Sequence, residues 1–403
     1  MERQITYDFK AVSRPCRIHS GHGALDQLGQ ELKRAGITRA LVICGRSIAE
    51  GTDLIDRMQA ASDGRIAGVF SALKKDTPLD DVQAAADMAR DLGADGLIAV
   101  GGGSAVQGAR VTAILLAENA KAEDLATQYP DDGPAISPRL MADKLPIINV
   151  MTIGTTAQDR GGSPVKAEHL GRRLEFFDPK TRPAALFWDQ GALATAPVSM
   201  LKATAAMTYW RALMDLGYAK ATIMADLNRR EVLTLATRIC DALTRGDDGD
   251  SVRAELCVVT WLQNRAADDG AGKLDSWSTR ATYAFSVALF NQHGHVSQGA
   301  ANAAIGPNVL RELGSRDPEA MAGIADALGL APCPPDEVPQ TIADHLSGVF
   351  SGLGHVANLT ALGIPRDSAP DMLENALRNF NADPNREFRR ERDRIAEVLA
   401  ACW

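Results

Sequence analysis

The stretch Gly96-Leu-Ile-Ala-Val-Gly101-Gly102-Gly103-Ser104-Ala105-Val-Gln107-Gly-Ala-Arg110 decides the fold. Its first five residues form an unbroken apolar run, the pattern of a parallel strand buried on both faces. Three glycines follow at once, and residues 105–118 then carry a helical pattern. Bare backbone at such a turn lets a pyrophosphate come close. The helix start behind it offers free N–H groups and a positive dipole end. The same pattern also serves as a tight β–α turn without a ligand, so the neighbouring segments must discriminate.

Working outward, further apolar runs lie at 39–44, 66–70, 146–151 and 184–188, with helical patterns at 23–35, 49–61 and 79–92 between them. Alternating strands and helices predict an α/β doubly wound, parallel-sheet, Rossmann-like domain over residues 1–189. Beyond Asp189 the helical patterns lengthen (197–216, 226–245, 251–267, 279–290, 300–313, 335–353 and 386–400). Residues 190–403 therefore read as an all-helical domain, with the active site expected in the cleft between the two. A second small-residue loop, Met151-Thr152-Ile-Gly-Thr155-Thr156-Ala-Gln-Asp159, follows the 146–151 run. Its hydroxyls and backbone N–H groups suit a ribose and phosphate, on the same sheet edge as the glycine loop. Neither loop is GxGxxG, and no P-loop pattern is present.

Composition narrows the function. A formal charge of -8 over 403 residues argues against a general nucleic-acid binder, which needs a basic face. No apolar stretch reaches the length of a membrane span, and no signal-peptide pattern opens the sequence. The six cysteines form no CxxC pair and no framework spacing, which points to a reducing, cytoplasmic location.

Taken together these segments resemble the iron-containing (group III) alcohol dehydrogenase family of the dehydroquinate-synthase-like superfamily. Gly21-His-Gly-Ala24 is similar to its early FGxGA turn, and residues 101–110 to its GGGSxxDxxK loop. Residues 151–159 stand where the family has PTTxGTGSE, and Arg173 where it often has a cofactor-contacting lysine. Gln298-Gly-Ala-Ala-Asn-Ala-Ala-Ile-Gly-Pro307 is similar to HGxANAxxxP. The resemblance implies a nicotinamide dinucleotide, a small-molecule substrate and a homodimer or larger homo-oligomer. It places the cofactor against Gly45, Arg46, Gly101, Gly102, Gly103, Ser104, Gln107, Thr152, Thr155, Thr156 and Arg173.

The departures from the family pattern carry as much weight. An Asp and a His four apart on a helix, plus two later histidines, hold the relatives' divalent metal; here those positions read Thr208, Ala212, Ala284 and Gln298. Metal binding wants carboxylate or imidazole, so no metal is expected. Gly45-Arg46 stands where NAD-preferring members carry an acid for the ribose, which favours NADP, with NAD as the alternative. Without a metal, an electrophile and a proton donor must come from side chains. Candidates on the segments that carry the relatives' ligands are Tyr209, Arg211, His293, His295 and Gln298. Maleylacetate reductases are metal-independent relatives, but their histidine-rich segment is missing here. The expected activity is metal-independent, NAD(P)-dependent hydride transfer with a small alcohol, carbonyl or oxo-acid. The alternatives are a cofactor-binding homologue without redox turnover, and a lyase or decarboxylase that uses the cofactor transiently.

Overall fold

In the computed structural model, which describes residues 4–130, 133–217, 220–270 and 276–403, the apolar runs become parallel strands with helices on both sides. The described residues form β1 (Gln4–Thr6), β2 (Arg17–Gly21), β3 (Ala40–Cys44), β4 (Ile66–Phe70), β5 (Gly96–Gly101), β6 (Ile147–Met151), β7 (Gly162–Ala167), β8 (Arg172–Phe177), β9 (Ala185–Asp189) and β10 (Lys220–Thr222). Six of them make one parallel sheet in the order β2-β9-β6-β5-β3-β4. Along β3, β5, β6 and β9 the side chains alternate between two cores. Leu41, Ile43, Leu97, Ala99, Ile147 and Met151 enter one; Val42, Cys44, Ile98, Val100, Ile148 and Phe187 enter the other. Burial on both faces is why these strands have no polar alternation.

Local chemistry sets the element ends. The Leu79–Leu92 helix starts after Pro78 and carries Asp80 and Asp81 in its first turn, where acids suit the helix dipole. It stops at Gly93, whose φ of 57° is a left-handed cap that glycine adopts without strain. The antiparallel pair β7–β8 packs Val165, Ala167, Leu174 and Phe176 into the first core.

Two compact units divide the chain, and neither is contiguous in sequence. The sheet unit holds Arg14–Pro197 and Gly249–Asn264; the helical unit holds Met1–Ser13, Val198–Asp248 and Arg265–Trp403. Sequence order alone groups 249–264 with the later helices and 1–13 with the sheet. The contacts that tie 249–264 to the sheet, at Gly154 and Gln158, join residues about a hundred positions apart, while β1 is tied to the helical unit by its pairing with β10. The helical unit is also not purely helical, because β1 and β10 pair in parallel over three residues. A three-residue strand carries no readable period. The core of this unit gathers Phe285, Leu289, Ile305, Val309, Leu313, Phe388, Ile395 and Val398. No described helix is long and apolar enough to cross a membrane.

Candidate dinucleotide site

The strand order places a topological switch point beside the glycine loop. β3 connects outward to β4 and β5 connects the other way to β6, although β3 and β5 are neighbours. Ligands of open α/β sheets bind outside the carboxyl ends of strands at such a point. Gly45 and Gly101 end or follow the two strands there, with Cys44 paired to Val100.

Gly101 has φ 141°, a conformation that a side chain would strain. Gly102 precedes the Gly103–Ala117 helix and offers no capping side chain, so the first-turn N–H groups are left for another acceptor. The second loop abuts the first. Thr152 N–H donates to the Gly101 carbonyl at 3.1 Å. A Cβ on Gly102 would stand 3.1 Å from Ile153 Cγ2, and one on Gly103 would stand 3.5 Å from Thr155 Oγ1. The glycines thus keep open a cradle that alanine would begin to fill. Thr155 and Thr156 are half-buried on its rim.

The loop after β4 forms a third wall, which sequence reasoning missed. Leu73 N–H bonds to the Cys44 carbonyl, and the loop then crosses to the helix start, where Asp76 N–H donates to Ser104 Oγ at 3.1 Å. Thr77 Oγ1 donates to the Ser104 carbonyl at 3.2 Å and has Gln107 Oε1 at 3.5 Å. Asp76 and Thr77 both have positive φ, 64° and 55°. A pair of that kind costs about 1–3 kcal/mol per residue and persists only where its surroundings impose it. Arg173, on β8, brings its guanidinium within 3.8 Å of the Asp76 carboxylate. Arg46 begins the Arg46–Gly51 helix, is exposed, and lies 3.5 Å from Glu50 one turn on.

Behind the cradle, Gln158 is a fully buried hub. Its Nε2 donates to the Cys257 carbonyl and Thr260 Oγ1, both at 2.9 Å, while its Oε1 accepts from Trp188 Nε1 at 2.8 Å. Asn264 Nδ2 donates to the Thr156 carbonyl at 2.6 Å. Gly154 lets the Asp250–Asp268 helix touch the loop, since a Cβ there would meet the Leu256 carbonyl oxygen at 2.3 Å. At the end of β9, the buried carboxylate of Asp189 accepts from Leu25 N–H, Ala192 N–H and Arg57 Nη2.

The remaining sequence candidates lie in the helical unit. Tyr209 is buried, its hydroxyl 2.8 Å from His345 Nε2, and burial raises its phenol pKa. Arg211 has Asp215 at 3.6 Å one turn on. His293 ends the Trp277–Gln292 helix with its ring 6.0 Å from that of His295, edge to face. Desolvation lowers the His293 pKa; the nearby His295 adds to this and Asp367 opposes it. Gln298 is exposed at the start of the Gln298–Leu313 helix, which Ser297 caps through Ala300 N–H. The structure therefore gathers His293, His295 and Gln298 at one helix junction, while Tyr209 faces the Val338–Gly352 helix.

Residues 15–190 match the model of the iron-containing alcohol dehydrogenases. Over that stretch the chain is similar to the iron-containing alcohol dehydrogenases. A maleylacetate reductase from Pseudomonas sp. (strain P51) is 40% identical over 98 residues, 24% of this chain and 27% of that protein. The match thus spans about a quarter of that relative's length. A maleylacetate reductase from Burkholderia cepacia is 25% identical over 402 residues, covering 97% of this chain and 96% of its own. The NADH-dependent butanol dehydrogenase A of Thermotoga maritima has the same fold, with a TM-score of 0.83 at 17% identity and full coverage of both chains.

Thr208, Ala212 and Ala284 are buried and offer one hydroxyl and two methyl groups; Gln298 offers an amide. Among the described residues no group of three or more His, Cys, Asp or Glu could hold a metal ion. The donor set does not fit the family's metal. The family-like signature at 298–307 has a packing role instead. A Cβ on Gly299 would lie 1.8 Å from the Ala203 carbonyl, and one on Gly306 2.5 Å from the Trp210 ring. Two glycines seven residues apart thus seat this helix directly on the Val198–Leu216 helix.

Proposed function

We propose that the protein is an NAD(P)-linked oxidoreductase acting on a small alcohol, carbonyl or oxo-acid without a resident metal. The observation that carries this reading is the side-chain-free cradle at the β3/β5 switch point, where Gly101–Gly103 meets Thr152–Thr155. The first turn of the Gly103–Ala117 helix would take the pyrophosphate, because its N–H groups and dipole favour an anion. Thr155 and Thr156 would face the nicotinamide ribose and phosphate. Gly45 lets the chain turn closely at the end of β3, and Arg46 beside it favours the 2′-phosphate of NADP over NAD. The dinucleotide, when bound, supplies or accepts the hydride.

The chain's own groups handle the proton and the developing charge. We assign the proton to His293 with His295: the lowered pKa leaves His293 neutral near pH 7, able to accept a proton from an alcohol. Arg211 and Gln298 would donate hydrogen bonds to the developing alkoxide, whose charge a metal ion neutralises as a Lewis acid elsewhere, and Tyr209 acts through its bond to His345. The names of the relatives, maleylacetate reductase, 4-hydroxybutyrate dehydrogenase and lactaldehyde reductase, support a small oxygenated substrate. The six free cysteines suit a reducing cytoplasm, and we infer a homodimer or larger assembly.

Calorimetric titration with NADP and with NAD tests the core of the proposal; binding of at least one is expected, and binding of neither refutes it. Turnover of metal-analysed protein should survive a chelator. A chelator-sensitive rate would overturn the metal-independent reading. A second reading, dinucleotide binding without redox turnover, draws on the engaged Tyr209 hydroxyl. It predicts tight binding with no hydride transfer to any small carbonyl.

A further inference from the structure

The loop between β4 and the Leu79–Leu92 helix carries two adjacent non-glycine residues in the left-handed region, Asp76 and Thr77. Thr77 is β-branched and fully buried, the residue type least suited to that backbone. The cause is visible in its partners. Asp76 N–H donates to Ser104 Oγ at 3.1 Å, and Thr77 Oγ1 donates to the Ser104 carbonyl at 3.2 Å, with Gln107 Oε1 at 3.5 Å. From the other side, Lys166 N–H donates to the Thr77 carbonyl at 3.0 Å. Gly108 completes the fit. A Cβ there would stand 2.8 Å from Leu73 Cδ2 and 3.6 Å from Thr77 Cγ2, so glycine lets the helix reach the loop.

We propose that Thr77 is a positioning residue for the dinucleotide, an inference that rests on the dinucleotide-binding reading above. Ser104 is the second residue of the Gly103–Ala117 helix and belongs to the glycine loop. Its oxygen accepts from Asp76 N–H, which leaves its own proton to donate away from the loop, toward an anion at the helix start. Thr77 grips the same residue through its carbonyl and, through Gln107, the next turn. The loop therefore holds the hydroxyl and the first-turn N–H groups in order before the ligand arrives. Strain at Asp76 and Thr77 is offset by docking on the helix, and the ligand need not supply the ordering itself.

The test titrates NADP, NAD and ADP-ribose into the parent protein and into Thr77→Val, Thr77→Ser and Thr77→Gly, with melting temperatures recorded alongside. ADP-ribose carries the pyrophosphate and lacks the nicotinamide, so it reports on the proposed end of the site. Thr77→Val keeps the shape and loses the donor; it should weaken the dinucleotide that binds, and ADP-ribose, about five- to tenfold. Thr77→Ser keeps the hydroxyl and should stay within twofold of the parent. Thr77→Gly relieves the backbone strain but gives up the same hydroxyl, so it should melt close to the parent and still bind as weakly as Thr77→Val. That split between stability and affinity is one that a merely structural role would not produce. If Thr77→Val fails to fold, the Thr77→Ser and Thr77→Gly pair decides alone. Parent-like affinity in Thr77→Gly and Thr77→Val overturns the positioning role while leaving the dinucleotide reading intact. Equal loss in Thr77→Ser overturns it as well. A parent that binds none of the three ligands overturns both.

Discussion

Replacing Glu175 by glutamine should stabilise the protein above pH 7 and leave it almost unchanged at pH 5. Glu175 lies on β8, opposite Pro164 of β7, and burial pushes its carboxyl up from 4.5 to about 7, with Arg173 pulling weakly the other way. Between those two pH values the folded protein holds a proton on Glu175 that the unfolded chain has released. Stability therefore falls as pH rises through that window and stays low above it. At about 1.4 kcal/mol per pH unit, the gap from 4.5 to about 7 is worth about 3 kcal/mol. This is an upper bound, because the residue is half-buried rather than sealed. Glutamine keeps the shape and cannot ionise, and the main-chain bond from Thr127 N–H to the residue 175 carbonyl is untouched. His293, His345 and His355, whose pKa values burial lowers, make stability rise with pH, but they act equally in both proteins and cancel in the difference. Urea midpoints at pH 5, 6, 7 and 8 would measure it. A difference between parent and Glu175→Gln that does not change with pH refutes the reasoning.

Gly154→Ala should cost about 3 kcal/mol in denaturant unfolding, because its Cβ must displace the Leu256 carbonyl from 2.3 Å. Gly162→Ala, with nothing within 4 Å, serves as the control and should cost less than about 1 kcal/mol. Asp189→Ala strands two backbone N–H groups and Arg57, and a loss of about 2–4 kcal/mol in the urea midpoint is expected. Replacing His293 and His295 together by alanine should leave dinucleotide affinity intact and lower turnover by about 100-fold or more. Unchanged turnover removes both from the mechanism.

The parts of this fold that the sequence announces are those whose side chains face a single kind of environment. β3, β5, β6 and β9 are buried on both faces, and their apolar runs mark them to within a residue or two. β2 reads Arg-Ile-His-Ser-Gly and sits at the sheet edge, so neither an apolar run nor clean alternation reveals it. The β7–β8 pair went unread because its alternation is short and weakly apolar, with Val165 and Ala167 the apolar inward residues of β7 and Leu174 and Phe176 those of β8. At the site, the glycine and threonine loops were legible from their composition. The Asp76–Thr77 wall was not, since its meaning lies in contacts with Ser104 and Gln107 that are 27 to 30 positions away. Only the run Lys74-Lys-Asp-Thr-Pro78, rich in turn residues, could have flagged it.

The hydrogen bonds from Gln158 to Cys257 and Thr260 span 99 and 102 residues of chain. On the ribosome, the glycine and threonine loops emerge long before the helix that backs them. The sheet unit cannot close until residue 264 or so has left the exit tunnel, by which time Val198–Asp248 of the helical unit is also outside. A nascent chain arrested near residue 200 would carry every residue of the dinucleotide cradle and still lack its floor. Cutting the gene at the end of β9, where the sequence suggests a seam, would reproduce that arrested state permanently.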